Sequence, residues 1–200
     1  MKYIKRTLAL LASVVVLAGM QIAGASQANA AYVTHPVYHG ARWQYSTGIC
    51  VEDRTPSNGL RYQVLDAVRD WNSNTNLSVW YKRGTGSCKG FRHIMSVVQG
   101  NYGRTGWIGT VAFQVKWGQT SLGAWTYLYQ SGTVQVRLNT SYRTSLSGWD
   151  HVATHEIGHA LGLGHVGSTC TSVMTNKSGC AWLRQTTSND RKWLNAIYAQ

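Results

Sequence analysis

The sequence is poor in acidic residues. It contains 7 Asp and Glu among 200 residues, against 19 Lys and Arg, which gives a formal net charge of +12 at pH 7. The few carboxylates form no dense cluster along the chain, and dense oxygen clusters are what a hard cation such as calcium prefers. We therefore expect no calcium site.

The many basic residues are scattered along the chain, and no nucleic-acid-binding module is recognisable. We therefore expect no specific nucleic-acid partner. A basic surface favours anionic surroundings, so we expect association with anionic cell-wall or surface polymers.

Long apolar runs are equally scarce, since the chain has only one, from Leu8 to Met20. Basic residues precede this run, and a small-x-small cleavage site ending at Ala30 follows it. This order predicts a signal peptide over residues 1–30. The alternative, a membrane anchor, would need about 20 apolar residues, more than the run provides. We expect a secreted, extracellular protein without a membrane span after cleavage.

The sequence also lacks internal repeats, low-complexity tracts and linkers. We therefore expect residues 31–200 to form a single domain, and we expect a monomer.

Cysteines are few, and none has the paired CxxC spacing of a structural zinc site. An even number of cysteines in an exported chain predicts two disulfides, although four cysteines permit three pairings. We choose the pairs that are nearest in sequence, Cys50–Cys88 and Cys170–Cys180. The second pair would hold the loop that carries Met174.

The strongest pattern in the chain is HEIGHALGLGH, residues 155–165. On an α-helix, residues four apart lie on one face, so His155 and His159 direct their imidazoles at a common point. Gly162 can adopt a positive φ, end the helix and turn the chain back. His165 then becomes a third nitrogen ligand for one metal ion.

Three neutral imidazoles leave the fourth position of a tetrahedral zinc ion open for water, which loses a proton near neutral pH. Glu156 is rotated by about 100° from the first ligand around the helix, so its carboxylate borders the metal without binding it. This pattern predicts a hydrolase in which Glu156, as general base, activates a zinc-bound water.

The histidine pattern followed by Met174 resembles the metzincin clan of zinc endopeptidases. VRLNTSY, residues 136–142, and HEIGHALGLGH are similar to runs in small bacterial matrixin-like enzymes. The resemblance implies an α+β, metzincin-type zincin fold, a twisted mixed β-sheet with an active-site helix and a C-terminal helix. It also implies one catalytic zinc ion and a hydrophobic floor at Met174. A cysteine switch is not expected, and Asn176 stands where some metzincins have a tyrosine.

Periodicity predicts a helix over residues 60–71, an active-site helix over 148–162 that starts with a capping box at Ser147, and a C-terminal helix that starts at Ser188. Alternation and β-forming residues predict strands at 42–51, 77–81, 91–98, 111–117, 124–129 and 134–138. The turn at residues 130–132 predicts a hairpin between the last two strands. By the resemblance, one strand borders the cleft, and a substrate would bind there as an added antiparallel strand.

Three functions are compatible with these patterns. The leading one is a secreted zinc-dependent endopeptidase that hydrolyses extended protein or peptide substrates. An alternative is a hydrolase of bacterial cell-wall peptides or a bacteriocin-like toxin, and a third is a zinc-binding module without turnover, against which the intact Glu156 argues. The remaining histidines are not expected to bind the metal, although His151 lies one turn before His155 and could form a hydrogen bond behind it.

Overall fold

The computed structural model describes residues 40–56, 58–167 and 169–199. All described residues belong to one compact unit. The predicted signal peptide, together with His35 and His39, lies outside the described residues.

The described residues contain short strands and three α-helices. The strands are β1 (Ala41–Arg42), β2 (Ile49–Asp53), β3 (Val79–Arg83), β4 (His93–Gly100), β5 (Gly109–Ala112), β6 (Val115–Gln119), β7 (Trp125–Tyr129) and β8 (Val134–Asn139). The α-helices are α1 (Arg61–Ser73), α2 (Leu146–Ala160) and α3 (Ser188–Tyr198), with a 3-10 turn at Ser178–Cys180 before α3.

The larger sheet has five strands in the order β3-β2-β4-β8-β5. The first four are parallel, and β5 runs antiparallel to β8 with Gly109 opposite Leu138. Strand β2 is buried along its whole length, as expected of a strand covered on both faces. Strand β5 is an edge of this sheet, and it lies beside α2.

A second sheet has the order β1-β7-β6, in which β1 is parallel and β6 antiparallel to β7. The predicted hairpin between the strands at 124–129 and 134–138 is therefore wrong, because β7 and β8 belong to different sheets. The turn between them is held by β4, since Gly132 donates to the carbonyl of Ile94 at 2.8 Å and Ser131 Oγ accepts from the amide of Ile94 at 2.9 Å. The turn passes the chain from one sheet to the other.

Two predicted strands are each divided between the two sheets. The stretch 42–51 splits into β1 and β2, and the stretch 111–117 splits into β5 and β6, with each half in a different sheet. Phe113 lies at the second break and packs edge-on against Tyr129, with ring centroids 5.1 Å apart. The alternation of bulky residues continues through the second break, so it did not reveal that break.

Helix α1 buries Val64, Ala67, Val68 and Trp71, which recur on one face at helical spacing. The indole Nε1 of Trp71 donates to the carbonyl of Thr154 at 2.9 Å. This bond joins α1 to α2, the helix that carries His155 and His159.

Helix α2 begins two residues earlier than predicted, because Ser145 and not Ser147 is its N-cap. The Oγ of Ser145 accepts from the amide of Gly148 at 3.1 Å. Helix α3 begins at Ser188, as predicted, and has a capping box formed by Thr187 and Asp190.

Disulfides join Cys50 to Cys88 and Cys170 to Cys180. The first links β2 to the loop before β4, and the second closes the loop that carries Met174. None of the helices in the described part of the chain has the length and apolar character that crossing a membrane requires.

Candidate metal centre

Helix α2 places His155 and His159 one turn apart on one face, with both side chains buried. Aromatic side chains satisfy the carbonyls at its C-terminal end, which have no partner within the helix. Tyr129 Oη donates to the carbonyl of His159 at 2.8 Å, and Trp43 Nε1 donates to that of Ala160 at 3.0 Å. Tyr198 Oη donates to the carbonyl of Leu161 at 3.0 Å. The end of the helix is therefore fixed by residues from β7, from the segment that follows β1 and from α3.

Gly162 ends this helix with a φ of 111°. A Cβ at this position would lie 3.0 Å from the carbonyl oxygen of Ala41, so both the backbone angle and the space require glycine. The amide of Leu163 donates back to the carbonyl of Gly158 at 3.0 Å, as in a Schellman-type end. The chain then reverses and brings His165, which is exposed, beside the two buried histidines.

The three imidazoles converge through their Nε2 atoms. The separations are 3.0 Å between His155 and His159, 3.1 Å between His155 and His165, and 3.1 Å between His159 and His165. Among the described residues, these three form the one group of His, Cys, Asp and Glu side chains whose ligand atoms all lie within 4.8 Å of one another.

The tautomers of the two buried histidines follow from their other ring nitrogens. Nδ1 of His155 is 2.8 Å from the carbonyl oxygen of Val173, and Nδ1 of His159 is 2.7 Å from that of Leu163. A carbonyl can only accept, so each Nδ1 carries the proton and each Nε2 presents a lone pair. Lone pairs brought this close repel one another unless a cation lies between them.

This donor set fits zinc. Two nitrogens on one tetrahedral zinc ion, each at about 2.0–2.1 Å from it, lie about 3.3 Å apart, within a few tenths of an ångström of the separations found here. Backbone carbonyls that hold the Nδ1 protons orient the ring nitrogens, as in known zinc sites.

Burial also keeps these imidazoles neutral. Desolvation, with a smaller contribution from the neighbouring His159, lowers the pKa of His155 to about 3. Desolvation lowers the pKa of His159 to about 4, and it lowers the pKa of His165 as well. Neutral imidazole is the form that binds a metal ion, so these residues need not lose a proton to bind one near neutral pH.

Glu156 lies next to the first histidine on α2, and its side chain is buried with 7% exposure. Its carboxyl group is not part of the cluster of three nitrogens. Burial alone raises the pKa of this carboxyl to about 8. The carboxyl packs against the start of β5, since a Cβ on Gly109 would lie 2.5 Å from its Oε1 atom.

Met174 is fully buried beneath the helix. A Cβ on Gly158 would lie 2.4 Å from the sulfur of Met174 and 2.9 Å from Cζ2 of Trp71. Gly158 stands between the two metal-site histidines, so the missing side chain at this position lets Met174 reach the underside of the turn that carries them.

The loop that carries Met174 is anchored by Asp190, a residue that no sequence motif marked as part of the site. Asp190, at the start of α3, is fully buried, and its carboxylate accepts from Ser172 Oγ, from the amide of Val173 at 3.0 Å and from the amide of Thr187 at 2.7 Å. The carbonyl of Val173 holds the Nδ1 proton of His155, so Asp190 fixes the orientation of that imidazole through the backbone. The capping box at 187–190 was the signal for a helix start, but it carries no information about a contact with residues 172 and 173.

The other histidines have structural contacts. His151 Nδ1 donates to the carbonyl of Leu183 at 2.7 Å, and its ring centroid is 5.8 Å from that of His155. It therefore ties α2 to the segment before α3 and forms no hydrogen bond with His155. His93 is buried against the rings of Trp43 and Tyr45.

The sequence model of the matrixin family matches residues 44–199. No curated protein matches the sequence. Among solved structures, the chain is similar to myroilysin, with 12% identity over 80% of this chain and 86% of that one and a TM-score of 0.42. It is also similar to archaemetzincin from Methanopyrus kandleri, with 12% identity over 78% of this chain and 97% of that one and a TM-score of 0.44.

A third similar structure is high choriolytic enzyme 1, a hatching enzyme zinc-protease from the medaka fish Oryzias latipes, with 13% identity over 79% of this chain and 94% of that one and a TM-score of 0.44. Likenesses this distant carry no argument about function. The family match covers all elements from β2 to α3, and the α+β, metzincin-type fold class expected from the sequence is confirmed.

Proposed function

The chain belongs to the matrixin family of zinc metalloendopeptidases, and from this premise we propose which residues carry its activity and where it acts. His155, His159 and His165 hold one catalytic zinc ion, and Glu156 is the general base and acid. The substrates are extended protein or peptide segments outside the cell. The observation that carries the proposal is the convergence of three Nε2 atoms at 3.0–3.1 Å beside a buried carboxyl group.

When zinc is bound by three imidazoles, it polarises the scissile carbonyl and makes a water molecule acidic. The task left to the protein is proton transfer. The Glu156 carboxylate takes a proton from the water as the water oxygen forms its bond to the carbonyl carbon. Glu156 then delivers this proton to the amide nitrogen as the carbon–nitrogen bond breaks, so that the products are a carboxylic acid and an amine.

The environment of Glu156 suits both steps. A carboxyl group whose pKa burial raises to about 8 is a stronger base than an exposed one, and a neighbouring divalent cation would lower this pKa towards neutrality. Since a general base works best with a pKa near the operating pH, one residue can both take and return the proton.

Strand β5 supplies a place for the substrate backbone. It pairs with β8 on one side, and its other edge has no strand partner within the described part of the chain. Its first residue, Gly109, touches the Glu156 carboxyl. A peptide added to this edge as a strand would bring its backbone past the general base and the three histidines.

The extracellular site of action rests on two features. The two disulfides are typical of proteins in an oxidising compartment, and residues 1–30 have the pattern of a cleaved signal peptide. For the metal, we propose a single zinc ion. The seven carboxylates of the chain give no reason to add a calcium site.

The test compares protein expressed from the full-length chain with its Glu156→Gln variant on casein and on bacterial cell walls. Glutamine keeps the size of the side chain but cannot take a proton, so we expect kcat/KM on casein to fall by about 10²–10⁴ while bound zinc is unchanged. The Asp66→Asn variant is the matched control, because that carboxylate is 68% exposed and should not affect the rate.

Removal of zinc with a chelator should abolish the cleavage of casein, and added zinc should restore it. Full activity of Glu156→Gln would contradict the assignment of the general base. Degradation of cell walls without cleavage of casein would replace the proposed substrate class by cell-wall peptides.

A further inference from the structure

Gly109 is the first residue of β5, the edge strand that lies beside α2. A Cβ atom at this position would lie 2.5 Å from Cγ, 2.5 Å from Oε1 and 2.8 Å from Cδ of Glu156. These contacts are shorter than any that real Cβ atoms make. An alanine at this position is therefore sterically incompatible with the present placement of the Glu156 carboxyl.

The need for glycine here comes from space and not from the backbone. Gly109 is not among the glycines with a positive φ. Its backbone is also held in place, since it pairs with the fully buried Leu138 of β8, and the amide of Asn139 donates to the carbonyl of Ile108 at 2.7 Å. The strand cannot easily retreat to make room for a methyl group.

The Glu156 side chain is the partner that would give way. It is buried, and no described residue forms a hydrogen bond with its carboxyl. Its carboxyl is thus located by packing, and the atoms nearest to the missing Cβ are the outer atoms of a flexible chain.

We propose that Gly109 is a positioning residue for Glu156. The absence of a side chain at the start of β5 lets the carboxyl lie directly against the strand on which the substrate backbone would bind. Gly109 thereby sets the distance between the general base and the scissile bond. This inference rests on the proposed role of Glu156.

The first part of the test is structural. Crystal structures of the zinc-loaded wild type and of Gly109→Ala should differ in the Glu156 carboxyl, which we expect to move by about 1 Å or more, because contacts of 2.5 Å must lengthen to ordinary van der Waals distances. Zinc content should be equal in both. A carboxyl that stays in place in the variant would overturn the proposal.

The second part is kinetic. A misplacement of this size costs about 100-fold in rate, so we expect kcat of Gly109→Ala on casein to fall by about that factor. KM should change little, because the outer edge of β5 remains intact. An unchanged kcat would overturn the proposal, and so would a loss confined to KM.

Two further variants distinguish an effect on the position of Glu156 from a general effect of a tight Cβ on the fold. Gly118→Ala places a comparably tight Cβ on another strand, 2.9 Å from Cδ1 of Leu128, and should keep its kcat. In the Glu156→Ala background none of the contacted atoms (Cγ, Cδ and Oε1) remains, so Gly109→Ala should reduce the residual rate at least about tenfold less there than in the wild type. Equal losses in both backgrounds would contradict the contact.

The structural part does not depend on turnover. If the carboxyl moves as expected but the wild type cleaves no peptide bond, the contact stands and the proposed function fails. If the wild type is active and the carboxyl does not move, the proposed function stands and the inference about Gly109 fails.

Discussion

Substitution of Asp190, which lies outside the metal site, should lower both the stability of the protein and its affinity for zinc. The buried carboxylate of Asp190 accepts hydrogen bonds from Ser172 Oγ and from the amides of Val173 and Thr187. In Asp190→Asn the acceptor loses its charge. Hydrogen bonds to a charged acceptor contribute about 1.5–3 kcal/mol each and those to a neutral acceptor about 0.5–1.5 kcal/mol, so weakening all three predicts a decrease of about 3 kcal/mol in the free energy of unfolding.

This decrease corresponds to a fall in Tm of about 6–12 °C for a domain of this size. The same substitution should weaken zinc binding by about 10–100-fold, because the carbonyl of Val173 would no longer hold His155 in one orientation. Urea unfolding of the metal-free protein measures the first effect, and competition with a chromogenic chelator measures the second.

Asp66→Asn is the control for both measurements, since its 3.7 Å ion pair with Arg69 is exposed and such pairs contribute little. An Asp190→Asn variant that unfolds at the same urea concentration as Asp66→Asn, and binds zinc as tightly, would refute the claim that Asp190 anchors the metal-site loop.

Two further substitutions test the packing around the site. Burial lowers the pKa of His93 to about 4, and its Nε2 accepts from the amide of Tyr45, so the native state excludes a proton that the unfolded chain binds below about pH 6.5. Above that pH neither state binds this proton. As pH falls to about 4 only the unfolded chain gains it, so the free energy of unfolding decreases. Urea unfolding at several pH values should show that the His93→Gln variant loses about 3 kcal/mol less than the wild type over this range. Gly158→Ala should destabilise the protein by about 1–3 kcal/mol in thermal unfolding, because its Cβ would overlap Met174 and the hydrogen-bonded Trp71. A Tm equal to that of the wild type would show that Met174 is not held against the helix.

The convergence of the three histidines could be predicted from the sequence because its geometry is local. The i, i+4 spacing of His155 and His159 determines their common face wherever the helix lies, and Gly162 marks the turn that returns His165. The burial of α1 followed in the same way from the 3.6-residue period of Val64, Val68 and Trp71.

The sheets could not be predicted in the same way, because strand partners are chosen over long distances. β7 and β8 are separated by a short turn and have the alternation of a hairpin, yet they pair with strands of different sheets. Strand pairing depends on which buried faces pack together, and the local sequence carries no information about this.

The two residues that support the site were missed for a related reason. Asp190 contacts a loop 17 and 18 residues away, and its sequence context indicates only a helix cap. Gly109 lies in a glycine-rich stretch and gives no local signal. Its role becomes visible only when β5 and α2 are placed side by side.

The central claim is that His155, His159 and His165 hold a single catalytic zinc ion. X-ray absorption at the zinc edge of the purified protein, together with its metal content, tests this most directly. We predict one zinc ion per chain with three histidine nitrogens at about 2.0–2.1 Å and no sulfur ligand. More than one ion per chain, a sulfur ligand, or an unchanged spectrum in His165→Ala would contradict the account.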